Sequence, residues 1–158
     1  MTTQTPVSDH IRWQWSRFSE LSSYDLYAVV RLRESVFVVE QNCPYLDADG
    51  RDPSAWHLLG WVAGSAPTLV AYARIFEPGV RYPEGSLGRI VTAPAVRGTG
   101  IGKALMAEAL RRIESLAPGQ SIKIAAQRRL EDFYVGFGFR TVSPPYEEDG
   151  IIHVDMLR

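Results

Sequence analysis

The chain has 158 residues, of which 46% are hydrophobic and 22% charged, and its formal net charge is −1. This length and composition predict one globular domain with its own core, and the near-neutral charge argues against bulk attraction to nucleic acid or to an anionic membrane. The single cysteine, Cys43, excludes an internal disulfide. Since the apolar runs are too short to span a bilayer and residues 1–9 lack a signal-peptide core, we expect a cytoplasmic protein without a membrane anchor.

The N-terminal third predicts a strand and a helix. Residues 1–10 are predicted to be a flexible lead, and residues 11–158 a single domain. Alternating apolar and polar residues over 11–18 indicate a half-buried strand, and Ser22 or Ser23 can cap the helix that follows. The apolar stripe of that helix includes Arg33 and Glu40. Either these two charges have a function, or they lie at the edge of the stripe and pair in solvent.

A long loop and a hairpin come next. Residues 41–55 combine prolines and charged side chains with little periodicity, and loops of that length often carry function. Residues 56–62 and 69–76 read as two paired strands. Residues 77–85 form an exposed loop that leads into a strand at Leu87.

A glycine-rich turn dominates the middle of the chain. The β-branched run at residues 90–92 predicts a strand, Pro94 ends it, and Gly98, Gly100 and Gly102 precede a long amphipathic helix. A helix start has unpaired N–H groups and partial positive charge, and glycines allow an anion to approach closely. The spacing fits neither the dinucleotide fingerprint nor the P-loop. The alternative is a tight turn without a ligand.

The last third alternates strands and helices. The long helix ends at Pro118 and Gly119, because neither residue favours its continuation. The remaining prediction is a strand over 121–126, a helix over 129–135, and strands over 140–143 and 151–157 that a connection over 144–150 separates.

Two motifs together identify a family. Arg97 to Gly102 follow the pattern Arg-x-x-Gly-x-Gly, and Phe133 to Phe139 follow the pattern Phe-Tyr-x-x-x-Gly-Phe about thirty residues later. This arrangement resembles the GNAT superfamily of acyltransferases. The segments 36–45 and 146–150 resemble its ElaA-like branch. The resemblance implies the GNAT acyl-CoA N-acyltransferase fold, which is a single α/β domain with a mixed, mostly antiparallel central sheet flanked by helices.

The resemblance also implies acetyl-CoA as cosubstrate, without a metal. The backbone of residues 98–103 would bind its pyrophosphate, and the strand at 90–92 would pair with its pantetheine arm. Many relatives have asparagine and a small residue where this chain has Gln127 and Leu130, which is a departure from the family pattern near the pantetheine arm. The implied cofactor-binding residues are Ile90, Val91, Thr92, Arg97, Gly98, Thr99, Gly100, Ile101, Gly102, Lys103, Gln127 and Tyr134.

The chemistry requires a general acid and a general base. The resemblance assigns Tyr134 as the acid that protonates the leaving thiolate, against the alternative that it is an aromatic core residue. Glu40 is the first candidate for the base because it ends the first helix, and His57 is the second. The acidic residues 147–149 could bind a cationic acceptor or face solvent. Direct transfer needs no nucleophile, so no role is predicted for Cys43.

The sequence therefore predicts an N-acetyltransferase that moves an acetyl group from acetyl-CoA to an amine of a small molecule or a peptide. Two alternatives stay open. The chain could use a longer acyl donor, as the related acyl-homoserine-lactone synthases do, or it could bind acyl-CoA as a sensor without turnover. A homodimer formed through an exposed strand edge is also open, whereas no nucleic-acid or membrane partner is expected.

Overall fold

Residues 10–158 of the computed structural model form one mixed sheet of eight strands with helices packed on both faces. The predicted flexible lead lies outside these described residues, except for His10. The strands are β1 Ile11–Arg17, β2 Trp56–Val62, β3 Thr68–Phe76, β4 Gly85–Thr92, β5 Ile122–Gln127, β6 Arg140–Thr141, β7 Tyr146–Glu148 and β8 Ile151–Leu157. The α-helices are α1 Ser23–Arg33, α2 Ile101–Leu116 and α3 Glu131–Val135.

The strands run in the order β1-β2-β3-β4-β5-β8-β6, and β7 also pairs with β8. Every pair is antiparallel except β4 with β5, which is parallel. The predicted fold class, a mixed and mostly antiparallel α/β sheet flanked by helices, is confirmed. No helix of the described residues is long and apolar enough to cross a bilayer.

Alternate residues of the central strands feed two separate hydrophobic clusters. Leu58, Ala73 and Ile75 face α2, whereas Leu59 and Tyr72 face α1. Because successive strand side chains point to opposite faces, both faces of β2 and β3 are buried. These strands therefore read as nearly continuous apolar runs, and the helices that cover them lie on opposite sides of the sheet.

The first helix starts as predicted and ends unusually. The Asp25 N–H donates to Ser22 Oγ over 3.0 Å and the Ser22 N–H donates to Asp25 Oδ2 over 3.3 Å, which forms a capping box. The helix then widens into a π-helix over Glu34–Glu40. Wide turns of this kind are rare and are frequent at functional sites.

One predicted connection contains a strand. Residues 146–148 form β7, which pairs with β8 through a tight turn at Asp149 (φ 50°) and Gly150 (φ 77°). An Asp-Gly pair favours the left-handed backbone of a two-residue hairpin, so the sequence held a signal for this turn. The prediction of a loop over the whole of 144–150 was wrong at residues 146–148.

Candidate active site

Strands β4 and β5 separate after only two residue pairs, and this opens a cleft in the sheet. Gly85 pairs with Ile122 and Ser86 with Lys123, and the strands then diverge. The cause lies on the other edge of β4, where two residues, Arg89 and Ile90, oppose the single residue between Tyr72 and Arg74. Arg89 has φ 50°. Such a bulge bends and twists its strand, which turns β4 away from β5.

The backbone of β4 beyond the bulge offers free hydrogen-bonding groups to the cleft. The Ala93 N–H donates to Val70 O on β3 over 2.8 Å. Because main-chain groups alternate sides along a strand, those of Val91 also face β3, and those of Ile90 and Thr92 face the cleft. The side chain of Val91 is buried under α1. Of the three strand residues predicted to bind the pantetheine arm, Ile90 and Thr92 thus direct their main-chain groups into the cleft.

The glycine turn leaves three N–H groups at the start of α2 without a helical partner. Gly100 is the N-terminal cap, with φ 88° and no side-chain cap, and the first helical bond runs from the Ala104 N–H to Gly100 O. The N–H groups of residues 101–103 therefore stay unpaired within the helix. They give this 16-residue helix a concentrated positive end, which suits a phosphate group.

Two predicted functional residues, Arg97 and Glu40, contact each other at the start of the glycine turn. The guanidinium of Arg97 donates to both carboxylate oxygens of Glu40, from Nη1 over 2.5 Å and from Nη2 over 3.0 Å. This hydrogen bonding lowers the pKa of Glu40 below its usual value. Both side chains remain about two-fifths exposed, at 43% and 41%. Glu40 is thus a carboxylate whose two oxygens are both occupied.

Tyr134 lies on α3 and belongs to the hydrophobic cluster that includes the buried residues of α2. It is 6% exposed, with Phe133 and Phe139 in edge-to-face contact with its ring, and burial raises its pKa to about 12. Besides burial, only the charge of Arg129 acts on the pKa of its hydroxyl, and no hydrogen bond from residues 10–158 does. Phe133 also borders Gly102 and a groove of about 500 Å³ whose other walls include Lys103 and Phe137. The structure therefore holds a protonated phenol next along the chain to Phe133, which borders the glycine turn.

Gln127 ends β5 at the open side of the cleft. Its Nε2 donates to Gln41 Oε1 over 3.1 Å, and its Oε1 accepts from Arg129 Nε over 3.0 Å. The loop that follows the π-helix is thereby tied to the far wall of the cleft. The thiol of Cys43 reinforces this connection, because Sγ donates to Asp149 O over 3.0 Å in the β7–β8 turn.

The second candidate for the base, His57, lies in the interior. It has no exposed surface, its Nδ1 is 2.8 Å from Tyr72 Oη, and its Nε2 is 2.9 Å from Asp52 O. Burial lowers the pKa of its imidazole. With both nitrogens engaged and no exposed surface, His57 does not meet an acceptor amine, and its geometry supports a structural role instead.

Arg33 is also buried, so the alternative that placed it at the edge of the stripe, paired in solvent, does not hold for this residue. Its Nε donates to Asp47 Oδ2 and its Nη1 to Asp52 Oδ1, each over 2.8 Å. Arg74 and Arg89 join the same cluster: Arg74 bonds Asp49 and Asp52, and Arg89 lies 2.9 Å from Asp47. Three arginines and three aspartates thus balance in charge and fix loop 41–55 to the sheet. The sequence analysis missed this cluster because its members are scattered over 57 positions.

Burial opposes ionisation of Asp52, yet its pKa is lowered, because the charge of Arg33 and the hydrogen bonds from Arg74 and Arg33 outweigh that effect. The acidic residues 147–149, by contrast, are exposed on the β7–β8 hairpin. They remain a candidate surface for a cationic acceptor.

Comparisons with known proteins agree with this geometry. The model of the acetyltransferase (GNAT) domain family matches residues 55–158. The chain is 43% identical over 150 residues to protein ElaA of Escherichia coli, covering 94% of this chain and 96% of that protein. It is 44% identical over 147 residues to UPF0039 protein sll0451 of Synechocystis, covering 93% and 94% of the two chains.

Solved structures give the same result. The crystal structure of E. coli ElaA matches with a TM-score of 0.86, covering 94% of this chain and 99% of that one. An acyl-CoA N-acyltransferase from Pseudomonas aeruginosa matches at 37% identity with a TM-score of 0.88 and the same coverage. On the family match and these relatives, the chain belongs to the GNAT acetyltransferase family, in its ElaA-like branch, and is an acyltransferase.

Proposed function

We propose that this enzyme transfers an acetyl group from acetyl-CoA directly to an amine of a small molecule or a peptide. The observation that carries the proposal is the cleft between β4 and β5, which opens beside the uncapped start of α2. A cofactor with a peptide-like arm and a pyrophosphate needs both features next to each other. The P. aeruginosa relative named as an acyl-CoA N-acyltransferase supports acyl-CoA as the class of donor.

The donor site follows from the free backbone groups. The pantetheine arm would bond the main chain of Ile90 and Thr92, in the manner of an added strand. The pyrophosphate would accept hydrogen bonds from the N–H groups of residues 101–103, with Arg97 as a neighbouring cation. Gly98 and Thr99 complete the turn, and the Thr99 hydroxyl donates to Val96 O over 2.5 Å and steadies it.

The chemical steps then need an oxyanion donor and an acid. A main-chain N–H of β4 in the cleft, from Ile90 or Thr92, would stabilise the oxyanion of the tetrahedral intermediate. Tyr134 would give its proton to the departing thiolate, for which the raised pKa is suitable because the phenol stays protonated at neutral pH. A cytoplasmic setting fits the single buried thiol of Cys43.

The test measures release of free thiol from acetyl-CoA across polyamines, aminoglycosides, amino acids and peptide N-termini, alongside calorimetric binding of CoA. We expect micromolar CoA binding and saturable thiol release with at least one class of amine. A longer acyl-CoA serves as the comparison donor. Turnover only with the longer donor would contradict acetyl transfer, and a protein that binds no CoA would contradict the whole assignment.

A further inference from the structure

One half of the sheet carries polar side chains on a face that α1 leaves open. On β8, Val154 and Met156 are buried against α2, so His153 and Asp155 point to the opposite face. The hydrophobic cluster under α1 takes residues from β2, β3 and β4 and none from β5 or β8. Ala125, which pairs with Asp155 in mid-sheet, is exposed. The exposed Ala125 and its polar neighbours therefore form an open face on this half of the sheet.

His153 is held on this face with one ring nitrogen available. Its Nδ1 lies 2.8 Å from the carbonyl oxygen of Ile151. A carbonyl only accepts hydrogen bonds, so Nδ1 carries the proton and Nε2 presents its lone pair. No described residue bonds Nε2, and the side chain is only half-buried.

The neighbours of His153 orient its ring and give the face its charge. The ring of Tyr146 on β7 is stacked against it, with centroids 6.0 Å apart and an angle of 21° between the planes. The Tyr146 hydroxyl donates to Asp155 over 2.7 Å, and Lys123 lies 3.1 Å from the other oxygen of Asp155. Glu148 on β7 adds a further carboxylate to this region.

His153 also lies one strand away from the cleft. It pairs in register with Gln127, the last residue of β5, and from Gln127 the chain leads directly to α3 and Tyr134. Residues opposite each other on antiparallel strands project from the same face, so His153 and Gln127 are side by side. Gln41, bonded to Gln127, borders the same place from the α1 side.

The other candidates for the base are all occupied or displaced. In the free protein Glu40 bonds Arg97 through both oxygens and has a lowered pKa, which weakens it as a base, and His57 is sealed in the core with both nitrogens engaged. His10 is exposed at the beginning of the described chain, on the first edge strand's side of the sheet. His153 combines a free ring nitrogen, partial exposure and a place one strand away from the cleft.

We propose that His153 Nε2 is the general base that takes the proton from the acceptor ammonium, and that the open face around Ala125 receives the acceptor. The inference rests on the proposed acetyl transfer. The freed amine lone pair forms the N–C bond to the thioester carbonyl carbon, and the oxyanion then collapses and breaks the C–S bond. Tyr134 gives its proton to the thiolate. The nitrogen of the new amide then loses a second proton, which reprotonates Tyr134, and His153 releases the proton it took to solvent.

The first test is chemical labelling of the folded protein with diethyl pyrocarbonate, which acylates free imidazole nitrogens. We use His10→Ala as the background, so that His153 and the sealed His57 are the remaining histidines. Mass spectrometry is expected to find label on His153 and none on His57, with thiol release falling in proportion. Lack of label on His153 would overturn the proposal without any substitution of His153 itself.

The second test compares His153→Ala with the matched control His10→Ala, using the amine that the wild-type protein acetylates fastest. General bases contribute about 100-fold or more to rate, so we expect kcat/KM to fall by about 100-fold in His153→Ala alone, with CoA affinity unchanged. Added imidazole is expected to restore part of kcat, which a structural role would not allow.

The outcomes separate the two proposals. A loss below tenfold in His153→Ala, a loss shared by His10→Ala, or no rescue by imidazole would overturn the role of His153. A large loss in Glu40→Gln together with an active His153→Ala would assign the base to Glu40 instead. Failure of the wild-type protein to bind CoA would contradict the proposed function itself.

Discussion

Arg97 holds both carboxylate oxygens of Glu40, at 2.5 and 3.0 Å, across 57 positions of the chain. The pair joins the end of the π-helix to the glycine turn, so one side chain of the proposed phosphate site is already engaged by a carboxylate. A phosphate group that approaches Arg97 competes with Glu40 for the same donors. Binding of the donor and the position of the π-helix are therefore linked.

Glu40→Gln is expected to raise the affinity for CoA by a few fold, because an amide neutralises Arg97 less well than a carboxylate does. Arg97→Ala is expected to lower the affinity by about tenfold, since one charge-assisted contact with the pyrophosphate is lost. Calorimetry with CoA measures both variants. Weaker binding by Glu40→Gln would show that Glu40 helps to hold the donor rather than competing with it.

Tyr134→Phe is expected to lower kcat by about 100-fold and to leave the dissociation constant of CoA within twofold, since only the proton for the thiolate is lost. With the pKa raised to about 12, Tyr134 stays protonated and contributes no fall in rate between pH 7 and 10. Rate profiles of the wild-type protein and the variant check this. Phe137→Leu, a change in the neighbouring aromatic group, serves as a packing control.

Gly100→Ala is expected to cost about 1 kcal/mol of stability, because φ 88° is unfavourable for a side chain, and to weaken CoA binding about tenfold. Gly50→Ala is the matched control, with φ 78° and similar open space, far along the chain from the turn. Thermal melts and calorimetry separate the two effects. Equal loss of CoA affinity in both variants would argue against a phosphate site at this turn.

Acid is expected to destabilise the protein through the buried arginine–aspartate cluster. The pKa of Asp52 is lowered in the folded state, so its stabilising contribution is complete above the unfolded pKa of about 3.9 and is lost as the pH falls through the lower folded value. The free energy of unfolding should thus stay level down to about pH 5 and fall below about pH 4. Urea titrations at several pH values measure it.

Asp52→Asn is expected to cost about 3 kcal/mol at pH 7, because Arg33 and Arg74 then lose a buried partner, and to flatten the acid dependence. Asp132→Asn, on an exposed position, is the control and should change neither quantity. An unaltered acid slope in Asp52→Asn would assign the effect to Asp49, whose pKa the hydrogen bond from Arg74 also lowers.

Local patterns predicted most of the fold. Strand alternation, the Ser22 cap, the glycine turn and Pro94 are each written in a few neighbouring residues, and the structure confirms the elements that they mark. The part that failed depends on contacts between distant residues. Nothing near Arg33 in the sequence shows that Asp47 and Asp52 fold over it, and the stripe position alone fits either a buried or a solvent-facing arginine.

The candidate site divides in the same way. The glycine turn and Tyr134 lie in motifs that their own spacing identifies. His153 instead stands in an ordinary alternating strand, and its place near the cleft follows from the register of β8 against β5. Register depends on which strands pair and how, so a single sequence does not reveal it. Alternation does place His153 and Asp155 on one face, which was the available signal.

The two residue pairs between β4 and β5 have a mechanical consequence. The sheet consists of a β1–β4 half and a β5–β8 half, and only the main-chain pairing of two residues in β4 with two in β5 joins them within the sheet. A ligand bound between the strands would add hydrogen bonds between the two halves and would join them for as long as it stays bound. Amide hydrogens of Ile90 and Thr92 should then exchange with solvent rapidly in the free protein and slowly in the ligand-bound protein. The motions of the two halves of the sheet should be correlated only when the cleft is occupied.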